Sequence, residues 1–172
     1  MSNLSFKLMA FTFKIRDIFS SPIEKLKRIG IIKPDYHILD FGCGPGSYSI
    51  AAAKLLENTG KVYALDILPI ATKMVIKKAQ KKNLKNIETI NSNCDTNLSD
   101  ENIDIIFLFD VFHDFDNSNK VLKELHRILK STGLLSVSDH HFKDEKLISL
   151  ITENNFFKFK DQTEKIFSFV KK

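Results

Sequence analysis

Cysteine is scarce in this chain of 172 residues: only Cys43 and Cys94 occur, with neither a CxxC pair nor any paired spacing. Such usage argues against a disulfide framework. Long apolar runs are missing as well. No stretch approaches the ~20 consecutive apolar residues of a membrane-spanning helix, and the first residues do not follow the pattern of a secretory leader. The expected location is therefore cytoplasmic. No internal repeat, low-complexity tract or linker interrupts the chain. What remains is ordinary globular material, 43% apolar and 27% charged, and a chain near this size buries close to ~70% of its unfolded surface. The 26 Lys and Arg against 21 Asp and Glu leave a net charge of +5, which would suit a polyanionic partner. Yet Lys73, Lys77, Lys78, Lys81, Lys82 and Lys85 crowd one segment whose other side offers Met74, Val75 and Ala79. A solvated helix face is the first reading of those lysines, and an RNA-binding surface the second.

The most informative run is Asp40-Phe41-Gly42-Cys43-Gly44-Pro45-Gly46. An apolar segment, Tyr36 to Leu39, precedes it, and Ser47 to Leu56 follows with helical spacing. This is a strand, a glycine-rich turn and a helix in order. Such a turn admits a ligand to the backbone where a β-carbon would block it, and it aims the free N–H groups of the helix N-terminus at that ligand. Dinucleotide turns read G-x-G-x-x-G. Here the glycines alternate at 42, 44 and 46, Ser47 stands where the third would be, and Asp40 ends the strand. A carboxylate at that point would repel a pyrophosphate and suits a cationic amine.

The following segments repeat the alternation. Lys61 to Asp66 reads as a strand ending in a carboxylate, about 20 residues after the turn, where a ribose-binding acid is expected. Ile87 to Ile90 is a third strand, followed by Asn93-Cys94-Asp95. Ile103 to Asp110 is nearly all apolar, as a strand covered on both faces should be, and it runs into Val111-Phe112-His113-Asp114. Leu122 to Gly133 reads as an amphipathic helix closed by a glycine C-cap, and Leu134 to Asp139 as the fifth strand. A helix is expected near 143–153. Residues 156–160 and 165–170 then alternate like a hairpin across 161–164. Ahead of all this, residues 1–33 predict one or two helices. Phe11, Ile15, Ile18 and Phe19 lie at helical spacing, and Ser20-Ser21-Pro22 restarts the helix. Helix packing is the first reading of Phe11, Phe13 and Phe19, and an apolar acceptor pocket the second. Alternating strands and helices imply a parallel sheet with right-handed crossovers.

These motifs, in this order over roughly residues 36–142, resemble the class I S-adenosylmethionine-dependent methyltransferases, nearest in pattern to the ubiquinone/menaquinone-biosynthesis-like group. The resemblance implies an α/β, doubly wound, mostly parallel seven-stranded sheet with a C-terminal antiparallel hairpin and N-terminal helices. On that reading residues 1–33 form a helical lid or extension, and 34–172 a single binding domain. It implies S-adenosylmethionine as donor, S-adenosylhomocysteine as product, and donor contacts from Asp40, Phe41, Gly42, Cys43, Gly44, Gly46, Asp66, Ile67, Cys94, Asp95 and Asp110. Asp66 would take the ribose hydroxyls and Asp95 the adenine amino group.

A sulfonium donor already carries an electrophilic methyl group, so the protein must align the acceptor and take a proton from a neutral one. His113, Asp114, His140 and His141 are the candidates for catalytic roles, with Asp139 beside them. They lie at the carboxyl ends of the fourth and fifth strands, where open α/β sheets bind ligands, and imidazole changes charge near neutral pH. Asp110, Asp139, His140 and His141 also hold the donor types of a metal cluster. Adjacent histidines on a strand end should point to opposite sides, however, and no metal is expected. The expected partner is a small-molecule acceptor, with a homodimer allowed and no membrane span. RNA or protein methylation, or a non-catalytic donor-binding domain, are the alternatives. Asp110-Val111-Phe112-His113 lacks the Asn/Asp-Pro-Pro-aromatic run of base N-methylating enzymes.

Overall fold

The computed structural model describes residues 3–30, 32–57 and 59–172. Met1, Ser2 and Ile31 of the expected N-terminal extension, and Asn58 of the expected binding domain, lie outside the described residues. Seven strands follow the order β3-β2-β1-β4-β5-β7-β6. The chain divides into two compact units, one of Met1–Tyr36 with Gly42–Asn93, the other of His37–Phe41 with Cys94–Lys172.

The first unit contains helices α1 (Asn3–Phe19), α2 (Pro22–Ile29), α3 (Ser47–Leu55) and α4 (Pro69–Lys81), with strands β2 (Lys61–Asp66) and β3 (Ile87–Asn91). β2 and β3 pair in parallel from Val62↔Ile87 to Asp66↔Asn91. The break at Ser20–Ser21 is as expected, and Pro22, lacking an N–H, opens α2 where none is needed. α4 buries Ala71, Thr72, Val75 and Ala79 along one stripe. Lys78 departs from its expected place on the solvated face: it is half-buried and donates to the Pro45 carbonyl at 2.7 Å. α1 departs further. Its inward residues are Phe6, fully buried, and half-buried Phe13 and Asp17, while Phe11, Ile15, Ile18 and Phe19 face solvent. The helix has apolar residues on two sides, and only the side of Phe6 and Phe13 is covered.

The second unit contains β1 (His37–Phe41), β4 (Ile103–Phe109), a single 3₁₀ turn (Phe112–Asp114), α5 (Ser118–Ile128), β5 (Leu129–Ser138), α6 (Asp144–Thr152), β6 (Phe157–Thr163) and β7 (Ile166–Lys171). β1, β4 and β5 run parallel. β7 pairs antiparallel with β5, and β6 antiparallel with β7. Every residue of β4 is buried except Asp104, which is half-buried. That carboxylate accepts from the His37 N–H at 2.8 Å and the Lys130 ammonium at 2.7 Å. Two boundaries differ from expectation. Gly133 does not cap α5, which ends at Ile128; it lies inside β5, where an added β-carbon would sit 2.6 Å from Leu129 Cδ1. The hairpin turns at Glu164–Lys165 rather than across 161–164, because a register shift between Phe159 and Asp161 breaks the alternation on β6.

Candidate active site

In the first unit the glycine turn is held from three directions. The N–H groups of Gly42 and Cys43 both donate to the Leu65 carbonyl at the end of β2, at 2.8 and 2.9 Å. Asp66, one residue on, places one carboxylate oxygen 2.8 Å from the Gly44 N–H and the other 2.8 Å from the Leu68 N–H. Lys78 holds Pro45 from below, as described above. Gly42, Gly44 and Gly46 all have positive φ, 73°, 51° and 83°, a region that costs other L-residues energy. Their spaces differ. A β-carbon on Gly46 would meet Val75 Cγ2 at 2.7 Å, so this glycine lets α4 pack against the turn. A β-carbon on Gly44 would have nothing nearer than Phe13 Cε2 at 4.0 Å, which leaves that stretch of backbone open to a ligand.

Burial pushes the Asp66 carboxyl up, against the pull of its two backbone N–H donors. Ile67 follows with its side chain 62% exposed, an apolar surface beside a carboxylate, as an adenosine would require. Cys43 contributes backbone to the turn and turns its side chain into a core cluster with Ala64 and Val75. One contributor was not anticipated. Asp17 of α1 accepts a hydrogen bond from the Ser47 hydroxyl at the first position of α3, where a carboxylate also complements the helix dipole. The sequence offers no motif for this contact, because 30 residues separate the partners.

The second unit gathers the histidines. Asp139 follows β5, and its side chain is fully buried. One oxygen accepts from the His113 N–H at 3.0 Å and contacts His113 Nδ1 at 2.9 Å. The other accepts from the His141 N–H at 3.1 Å and contacts His141 Nδ1 at 3.1 Å. Burial pushes this carboxyl up, but the bonds from His113 and His141 outweigh it and hold it below the usual range. An ionised carboxylate only accepts. Both imidazoles must therefore carry their proton on Nδ1, and in the neutral rings Nε2 is left with its lone pair. His140 repeats the arrangement on Asp110, with Nδ1 at 2.9 Å and N–H at 3.3 Å from the same oxygen. That bond raises the His140 pKa above its ordinary value. Asp110 itself has φ 52° and donates its N–H to the Ser138 carbonyl at 2.6 Å, tying the ends of β4 and β5 together.

The expectation that His140 and His141 point apart does not hold. They lie in the turn after β5 rather than on the strand, and their ring centroids are 4.0 Å apart; those of His113 and His141 are 3.6 Å apart. His113, Asp139 and His141, and likewise Asp110, Asp139 and His140, come within the reach of a metal ion. Each Asp139 oxygen also accepts a backbone N–H, one from His113 and one from His141. The remaining candidates are more scattered. Asp114 is exposed, 3.6 Å from His113 Nε2. Asp40 is buried at the end of β1, and the Phe41 ring meets Phe115 edge-on. Cys94 is buried, which pushes its thiol up, and exposed Asp95 pairs with Lys120 at 3.5 Å. The importance of Asp139 as the common acceptor was missed. Its partner His113 lies 26 residues away, and only the pairing of β4 with β5 joins them.

Comparison with known proteins agrees with this geometry. The family described as methyltransferase domain matches residues 32–169. A crystal structure of a SAM-dependent methyltransferase from Aquifex aeolicus is 27% identical, covers 87% of this chain and 89% of its own, and has a TM-score of 0.77. A Methanococcus maripaludis structure, 19% identical, shares the fold over 97% of this chain and 91% of its own, with a TM-score of 0.80. Demethylmenaquinone methyltransferase of Lactobacillus johnsonii is 27% identical over 135 residues, 77% of this chain and 54% of the relative. The chain spans about half the length, or less, of the first curated relatives it matches. Glycine turn, strand order and family match agree, and the chain belongs to the class I S-adenosylmethionine-dependent methyltransferases.

Proposed function

We propose that the chain methylates a small-molecule acceptor by in-line displacement, with His113 as general base. The supporting observation is the His113–Asp139 pair: with Nδ1 engaged by Asp139, Nε2 is the ring nitrogen left to accept a proton, beside the exposed Asp114 carboxylate at 3.6 Å. S-adenosylmethionine, when bound, supplies an electrophilic methyl group on a sulfonium. The residues suited to hold it are the open backbone at Gly44, the carboxylate of Asp66 for the ribose hydroxyls and the exposed side chain of Ile67 for the adenine. Asp40 and Asp95 are the further carboxylates assigned to the donor.

Asp139 acts as a positioning residue, holding His113 and His141 in one tautomer. This follows the logic by which a buried carboxylate orients a catalytic imidazole. His140, paired with Asp110, and Asp114 are the other proton-handling groups of the same cluster. The small-molecule assignment draws on the similarity to demethylmenaquinone methyltransferases.

The test is incubation of the protein with methyl-labelled S-adenosylmethionine and a cell extract, followed by separation into small-molecule, RNA and protein fractions. Label in the small-molecule fraction that falls with His113→Ala is the expected result. Label in RNA or protein refutes the acceptor class, and undiminished label with His113→Ala refutes the base.

A further inference from the structure

α1 is 17 residues long, and its inward side is occupied, with Phe6 buried, Phe13 near Gly44 and Asp17 bonded by Ser47. Its outward side is apolar and open. Leu4, Leu8, Phe11, Ile15, Ile18 and Phe19 are 79%, 65%, 59%, 43%, 73% and 86% exposed. At 3.6 residues per turn these six fall in one unbroken arc of about 100°, the width a helix ordinarily turns toward a core. Single exposed apolar residues are common on protein surfaces, but a contiguous stripe of them is not. Residues 4, 8, 11, 15 and 18 are moreover separated by four, three, four and three positions, the alternation of a helix–helix seam.

We propose that this stripe is the interface between two copies of the chain, paired through parallel α1 helices about a two-fold axis. The area fits: the six side chains leave on the order of 700 Å² uncovered, near the roughly 800 Å² per partner of a stable interface. The period fits as well, since an average of 3.5 residues matches the knobs and holes of another helix, whereas lipid requires only a broad apolar face. Charge then selects the direction. Lys7 and Lys14 border one edge of the arc, and Ser5 and Thr12 border the other. A parallel, isologous pair sets lysines against hydroxyls, while an antiparallel pair would set the lysines of the two copies against each other. Because the inward side of α1 lies on the glycine turn, such a dimer also holds that helix in place over Gly44.

Light scattering on the full chain at micromolar concentration should give twice the protomer mass of 19.7 kDa. The double variant Leu8→Asp, Phe11→Asp should weaken the dimer by about a hundredfold or more. At a dilution where the wild type is also monomeric, its thermal melt should match that of the wild type, because neither side chain is buried within one copy. Ile18→Cys should cross-link two copies on oxidation, since a core position of a parallel seam meets itself, and an antiparallel pair would not form that bridge. A monomer at these concentrations overturns the proposal, as does a dimer indifferent to the double variant. Monomeric protein that floats with vesicles of phosphatidylcholine and phosphatidylglycerol, and is released by the double variant, also overturns it and assigns the stripe to a membrane surface.

Discussion

Replacing Asp139 with Asn changes one atom and the charge, and should disturb more of the second unit than any other isosteric change. The wild-type carboxylate receives four N–H contacts, two from backbone and two from imidazoles, with no water-exposed surface on its side chain. In the amide, one oxygen becomes an NH₂ group facing a backbone N–H and an imidazole; the backbone contact is lost, the imidazole keeps its contact only by moving its proton to Nε2, and the other two contacts fall to neutral strength. With charge-assisted bonds worth ~1.5–3 kcal/mol each, the expected loss of stability at neutral pH is about 3–5 kcal/mol. The sign of the pH dependence follows from the depressed carboxyl. A group held below its unfolded value contributes stability above that value, near ~3.9 for Asp, and loses it as pH falls through the folded pKa. The gap between wild type and Asp139→Asn in urea unfolding should therefore be full at neutral pH and close in acid. Nitrogen NMR of the imidazoles gives an independent readout. Wild type should show His113 and His141 protonated on Nδ1, and the variant should lose that preference. A gap below about 1 kcal/mol at neutral pH, or unchanged tautomers, would refute the account of Asp139 as the common acceptor.

Three further outcomes test other parts of the molecule. Gly46→Ala combines a left-handed backbone with a β-carbon 2.7 Å from Val75 Cγ2, and should lower stability by about 2 kcal/mol; adding Val75→Ala should relieve the clash but leave the backbone strain in a thermal melt. Asp66→Ala should weaken donor binding at least about tenfold by calorimetry in a folded protein, through loss of charge-assisted ribose bonds and of the brace on Gly44. Glu124 is held at about 2 from 4.5 by the Arg127 guanidinium above all, with Thr96 assisting against burial. Its contribution should be present above pH 4.5 and fade as pH falls toward 2. Glu124→Gln should cost about 1–3 kcal/mol in urea unfolding at neutral pH, and less in acid.

What could be read in advance was what the chain encodes locally. Ile103–Phe109 is apolar enough to be recognised as a buried strand, Gly42, Gly44 and Gly46 announce a turn with positive φ, and Asp66 ends its strand at the expected distance. Each of these depends on residues adjacent in sequence. The misreadings have the opposite character. Gly133 looked like a helix cap because glycine after an amphipathic run usually is one; the extended pairing of Leu129 with Ile103 overrides that local preference. Lys78 looked like one lysine among six until the turn came close enough to place the Pro45 carbonyl over it. Asp139 was one of several acids at strand ends, and only strand pairing could show it to be the acceptor for two imidazoles.

The N-terminal helix makes the same point from its surface. Helical spacing correctly placed Phe11, Ile15, Ile18 and Phe19 on one face, but spacing cannot say which face the protein covers. Phe6 and Phe13 form a second apolar face, seven residues apart and therefore in line on the helix, and that face is the covered one, with Phe6 buried and Phe13 beside Gly44. A helix with two apolar faces is poorly served by a single folded unit, because the uncovered face remains a standing free-energy cost in water. The cost is removed only if something else covers it. An unexplained stripe on α1 and an inward side that lies over Gly44 therefore belong to one question, which is whether donor binding and self-association are coupled through the same helix. If they are, the Leu8→Asp, Phe11→Asp variant should bind S-adenosylmethionine more weakly although neither residue is near Gly44, and donor should in turn tighten the wild-type dimer by that factor for each donor bound, hence by its square at saturation. Equal donor affinity in wild type and variant would separate the two faces of the helix.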